Sequence, residues 1–185
     1  MKSSLRDAAK RLLWEKGYAS MSPRQILDAS GAGQGSLYHH YRGKADLAAD
    51  ALSEIQTEMS SLVSAIFDPG KAPLDRVRDY LLLKRNGLKG CRMGRLANEA
   101  EVLELPELRE PIARYFEHVK RLIVQALKEA KSAGSINRST DAVAIATAIV
   151  ATVQGGFLLS RAQSDAEQIR LATRGALAML EALKR

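Results

Sequence analysis

Apolar residues recur at every third and fourth position through nearly the whole chain, and almost no segment alternates as a strand would. That periodicity restricts the fold to helices packed on helices. The stops are equally legible. Leu5, Ala8, Ala9, Leu12 and Leu13 mark a first helix, which Gly17 is expected to end in a left-handed conformation. Ser22-Pro23-Arg24-Gln25 has the form of a capping box with proline in the first helical position, opening a short helix to Ala29. A third helix fits between Gly33 and Arg42, with Gly43 as its stop. From Lys44 a long helix carries Leu47, Ala51, Ile55, Met59, Leu62 and Ile66 to the breaker Asp68-Pro69-Gly70. Further helices are expected over about 74–88 and about 93–103, and from the Pro106/Pro111 bracket to Ser132, before Gly134. Asn137, Ser139 and Thr140 offer caps for a helix at 141–160, and Ser164-Asp165-Ala166-Glu167 reads as a second capping box for the last one. The result is an all-α chain of about nine helices: a three-helix unit at 1–46, then a helical bundle at 47–185, connected by helix 44–67.

Charge separates the two parts. Residues 1–46 hold eight Lys/Arg against four Asp/Glu, a net +4, while the other 139 hold 20 against 17, a net +3. A basic first quarter suits a polyanionic partner. The single cysteine, Cys91, excludes an intramolecular disulfide and fits a reducing, cytoplasmic compartment. The first residues carry charges spaced among apolar ones, so no signal-peptide core is expected. Ala142–Leu159 is an uncharged stretch of 18 residues, but its Ala, Gly, Thr and Gln content fits a buried helix of a bundle better than a membrane span.

The segment GAGQGSLYHHYRGK, residues 31–44, contains no acid. Its glycines are not followed by Lys-Ser/Thr or preceded by a strand, so it is not a phosphate loop. His39 and His40 are adjacent and project about 100° apart on a helix, which excludes an i, i+4 metal pair. Two short helices joined through a glycine turn do fit a helix-turn-helix. Ile26, Leu27, Ala29, Ala32 and Leu37 are expected to face inward. Gln34, Ser36, Tyr38, His39, His40, Tyr41 and Lys44 are left as groups suited to base edges and phosphates.

Ala8–Leu47 resembles the DNA-binding domain of the TetR (tetracycline-repressor-like) family. The resemblance rests on the Gly-Tyr after helix one, the Ser-Leu-Tyr-His-His-Tyr helix and the Lys-x-x-Leu that opens helix four. It implies a homodimeric all-α transcription regulator, usually a repressor, released from its operator when a small molecule binds the C-terminal domain. It also places Arg24 and Gln34 where base edges are read, with Gly35 allowing close backbone approach. Tyr38, His40 and Lys44 fall where phosphates are gripped, and Ser22 and Ser36 supply lesser hydroxyl donors. His39 and Tyr41 are less defined, since Tyr41 replaces a frequent inward Phe and reads equally as core. Gly33 stands where the family commonly caps the helix with Ser or Thr.

In the remainder, helix 141–160 is apolar nearly all round and, with 165–184, forms the expected dimer face, its Ala148, Thr152, Gly155 and Gly156 allowing close approach. A two-fold dimer implies a pseudo-palindromic double-stranded operator. Leu82, Met93, Leu96, Tyr115, Phe116, Val119, Gln154 and Phe157 are the candidate lining of a small-molecule site, although each taken singly reads more readily as ordinary core packing. Cys91 lies in a Gly-Cys-x-x-x-x-Leu-x-x-Glu pattern among five cations (84, 85, 89, 92, 95), resembling a branch of the family in which some members sense electrophiles or oxidants. Cations favour the thiolate, yet a lone cysteine here also reads as a small packing residue. His118 reads as surface or partly packed. No nucleophile–base pair, metal-ligand spacing or cofactor loop points to an enzyme.

Overall fold

The stripe Leu5, Ala8, Ala9, Leu12, Leu13 forms the buried face of α1 (Lys2–Lys16), and all five residues are shielded from solvent. A computed structural model describes residues 1–184. Among them are nine α-helices, one 3-10 turn at Leu96–Asn98 and no strand; an isolated bridge pairs Ile136 with Lys184. After α1 come α2 (Pro23–Ser30), α3 (Gln34–His40), α4 (Lys44–Ile66), α5 (Pro73–Leu82), α6 (Ala100–Glu104), α7 (Pro106–Ser132), α8 (Ala142–Ala162) and α9 (Glu167–Glu181).

The chain divides into two compact units, each built from two stretches. The first is Met1–Met59 with Arg92–Tyr115; the second is Ser60–Cys91 with the described residues from Phe116. In the first, α1 packs on α2 and α3, and Leu5, Leu13, Met21, Ile26, Leu37, Leu47, Leu52, Met93, Leu96 and Leu108 are fully buried. Each such side chain contributes about 1.5–3 kcal/mol of burial. In the second, α9 lies along α8 and α5. Gly156 makes this contact possible, because an added Cβ would lie 2.6 Å from the Ile169 side chain.

Arg76 holds the breaker between α4 and α5. Its side chain is buried, donating from Nε to the Lys71 carbonyl (2.9 Å), from Nη2 to the Pro69 carbonyl (2.9 Å) and from Nη1 to Glu129 Oε2 (2.7 Å). Replacing Arg76 with Ala leaves both carbonyls without this charged donor. The expected loss is about 2 kcal/mol in urea unfolding, with helix content retained.

Five local expectations need correction. Gly17 has a positive φ of 85° but ψ of 174°, not the left-handed helical value, because the next two amides turn toward Glu99. Ala29 is exposed, its carbonyl accepting from Arg11 Nη2 (3.1 Å). Helix α3 stops at His40, before Gly43, since buried Tyr41 is extended and its hydroxyl donates to Asp50 (2.7 Å). Helix α5 stops at Leu82 rather than Leu88; Arg85 occupies the carbonyls of Tyr80, Leu81 and Leu83, its guanidinium over the Tyr80 ring. The span 93–103 is broken by the extended backbone of Glu99 into the 3-10 turn and α6.

The expected caps of the last two helices shift by one to a few residues, both to aspartates. Asp141 caps α8 by accepting from Val143 and Ala144 N–H. Asp165, not Ser164, accepts from Glu167 N–H (2.9 Å) and Gln168 Nε2 (2.8 Å) before α9. Those bonds lower the Asp165 carboxyl pKa, the Glu167 amide contributing most.

Candidate nucleic-acid interface

The entry to α2 is fixed by its own residues. Gln25 N–H donates to Ser22 Oγ (3.3 Å), and Ser22 N–H donates to Gln25 Oε1 (3.1 Å), a closed capping box with Pro23 in the first turn. Gly31 then takes a left-handed conformation, φ 68° and ψ 15°, which turns the chain into α3 at no side-chain cost. Gly33 caps α3 through its backbone alone, its carbonyl accepting from Ser36 N–H (2.9 Å).

Helix α3 is seven residues long, and Leu37 is its buried residue. Around it, Gln34, Gly35, Tyr38 and His39 are exposed, while Ser36 and His40 are half-buried. The His39 and His40 rings meet edge-on, centroids 4.8 Å apart and planes at 69°. Tyr41 is core rather than surface, and burial pushes its phenol pKa up. Arg24, on the exposed side of α2, has a side chain 92% exposed and its Nε 4.0 Å from Asp28.

Lys44 opens α4 half-buried, its Nζ 4.1 Å from the centroid of the Tyr18 ring. Asp46 accepts from Arg42 N–H (3.0 Å), and that backbone bond is the main reason its carboxyl pKa is lowered. Arg42, absent from the residues expected at this site, projects a 91% exposed side chain beside them. Its position between the end of α3 and the start of α4 was the available signal. These groups present amide, hydroxyl, imidazole, guanidinium and ammonium donors, with Asp28 beside Arg24 and Asp46 beside Arg42. That donor set can satisfy base edges and phosphate oxygens.

The residues expected to line a ligand site fall in both units. Met93, Leu96 and Tyr115 are buried in the first unit. In the second, Cys91 and Val119 are buried, Phe116, Gln154 and Phe157 half-buried, and Leu82 is exposed. A cavity of about 540 Å³ within the second unit is lined by Leu82 along with Leu81, Lys84, Arg85, Ile169, Arg170 and Thr173, among others. None of the other expected residues reaches it. His118 is half-buried, accepting at Nδ1 from Arg121 (2.9 Å), with Ser64 Oγ 2.8 Å from Nε2.

Residues 5–51 match the family model described as bacterial regulatory proteins, tetR family, and residues 71–176, more than half of the chain, match the tetracyclin repressor-like C-terminal domain. The chain belongs to the TetR family. It is therefore a helix-turn-helix transcriptional regulator and not an enzyme. Among its relatives is the transcriptional regulator AcuR of Cereibacter sphaeroides, 29% identical over 178 residues covering 92% of this chain and 81% of that one. The HTH-type transcriptional repressor DhaR of Mycobacterium sp. strain GP1 is 22% identical, covering 91% of this TetR-family chain and 86% of its own. The crystal structure of regulatory protein TetR from Rhodobacter sphaeroides superposes with a TM-score of 0.81 at 29% identity, over 95% of this chain and 96% of that one.

Proposed function

We propose that this TetR-family regulator is a ligand-responsive repressor that holds a pseudo-palindromic operator as a homodimer and leaves it when a small molecule binds. Residues 1–46 serve as the reading head and 47–185 carry the ligand and dimer functions, in the cytoplasm where the DNA lies. The observation carrying the reading is the exposed polar face of α3, set out in solvent by one buried leucine. Arg24 and Gln34 read bases; Tyr38, His40 and Lys44 hold phosphates, with Ser22 and Ser36 as lesser donors, Gly35 admitting the backbone and exposed His39 completing the face. Repression is the role that the relative DhaR is named for.

Dimerisation draws support from the faces of α8 and α9 that their own chain leaves uncovered. Val143, Leu158, Leu171 and Met179 are 53%, 65%, 48% and 73% exposed, and apolar exposure on that scale calls for a covering surface. Helix α8 is long and apolar enough to cross a membrane, yet it packs along α9 and buries Ala146, Ile149, Val153 and Gly156. A second subunit accounts for its other side. Release is assigned to a reversibly bound small molecule rather than to thiol chemistry, because Cys91 is 7% exposed and reactive thiols need access.

Two variants test the reading head. Gln34→Ala is expected to relax preference at particular base pairs, at a cost of about 1–3 kcal/mol on the best site. Lys44→Ala is expected to weaken all duplexes alike and to reduce the slope of log affinity against log salt by about one. Fluorescence anisotropy on specific and random duplexes across a salt series measures both. Equal losses on both duplexes for both variants contradict the assignment.

A further inference from the structure

The end of α1 is gripped from both sides by residues about eighty positions later in the chain. Glu99 accepts from Tyr18 N–H at Oε1 (3.1 Å) and from Ala19 N–H at Oε2 (2.8 Å). Arg95 donates from Nη1 to the Trp14 carbonyl (2.8 Å), at the negative end of the same helix. Arg92 lies over the Trp14 ring, 5.6 Å from its centroid, and reaches Glu58 at 3.2 Å. Fully buried Met93 and Leu96 anchor this segment, and the extended backbone of Glu99 turns its side chain out of the 3-10 turn. The carboxylate then sits directly over Gly17, where an added Cβ would lie 2.3 Å from Oε1.

What Glu99 holds is the lead-in to the reading head. The turn from Gly17 closes with Met21 N–H donating to the Tyr18 carbonyl (3.1 Å), and the next residue is Ser22, the cap of α2. Tyr18 also seats the Lys44 ammonium on its ring. One carboxylate thus fixes both the entry to α2 and the base under Lys44.

We propose that Glu99 is a positioning residue for operator binding, acting through the Tyr18 and Ala19 amides to hold α2, α3 and Lys44 in their DNA-binding arrangement. This rests on reading α2 and α3 as the operator face. The segment is joined to the second unit at both ends, by the Cys91–Arg92 and Tyr115–Phe116 peptides. Operator affinity thereby depends on a stretch of chain outside residues 1–46.

The test uses full-length Glu99→Gln, which turns one acceptor oxygen into a donor facing an amide, with Ile123→Val in the second unit as a stability control. Hydrogen exchange across 17–21 without DNA and anisotropy on a selected operator are the readouts. Glu99→Gln is expected to speed exchange at Tyr18 and Ala19 by about tenfold or more and to weaken operator binding by about tenfold. Glu99→Asp, one methylene short, should fall between Glu99→Gln and the parent, and serves alone if Glu99→Gln does not fold. Unchanged exchange overturns the proposal, as does fast exchange with unaltered operator affinity, or an affinity loss that Ile123→Val reproduces. If Gln34→Ala leaves base preference intact, the α3 reading fails by itself, and the Glu99 variants still decide the positioning role.

Discussion

Leu37→Ala is expected to lower operator affinity more than about a hundredfold while costing about 3 kcal/mol of stability. The asymmetry follows from how little holds α3. Seven residues are too few for a helix to persist unaided in water. The helix contains Gly35, is capped by Gly33 with no side-chain bond, and buries Leu37 at 0% exposure as its one anchor. At its far end, Tyr41 is fixed through its hydroxyl to Asp50 (2.7 Å). Truncating Leu37 leaves a cavity under the helix and frees Gln34 and Tyr38 from their common orientation. Anisotropy against the selected operator gives the affinity, and urea unfolding with circular dichroism gives the stability. Affinity within threefold of the parent would show that α3 is not held by this side chain.

The second large effect is expected at Gly17. Its φ of 85° and ψ of 174° lie in a region open essentially to glycine. A methyl group there also meets the Glu99 carboxylate at 2.3 Å. Gly17→Ala therefore combines backbone strain of about 1–3 kcal/mol with loss of the Glu99 bonds to Tyr18 and Ala19. A total near 3 kcal/mol is expected in urea unfolding, accompanied by weak operator binding. The double variant Gly17→Ala/Glu99→Ala removes the clash but keeps the strain, so its loss should be smaller than the sum of the two single losses. Strict additivity would mean that the carboxylate and the glycine do not interact.

The pattern of helices was legible because its causes are local. The i, i+3, i+4 stripe of α1 and the Ser22–Gln25 box are written in consecutive residues, and both formed as the spacing implies. Distant partners left no such mark. Gly17 read as an ordinary helix stop because Glu99, which sets its ψ, lies 82 positions away. The stop of α5 is by contrast local: Arg85 folds back onto the carbonyls of Tyr80, Leu81 and Leu83, and Asn86-Gly87 is a turn pair that the apolar spacing of 74–88 masked.

The same division holds at the candidate site. Residue type and spacing suggested which side chains of α3 would stand in solvent, but not that Tyr18 would lie under Lys44. Burial did not separate ligand contacts from core. Met93 and Leu96 carry an apolar character suited to either role, and both lie fully buried in the unit that contains α1, α2 and α3.

The most direct measurement is a selection of bound duplexes from fully randomised DNA by the purified full-length protein, with stoichiometry measured on the winning sequence. A two-fold symmetric site bound by an even number of chains is expected, with affinity falling steeply as salt rises, and with Gln34→Ala altering symmetry-related positions in both halves. Enrichment of no sequence, or of an asymmetric site bound by one chain, would contradict it.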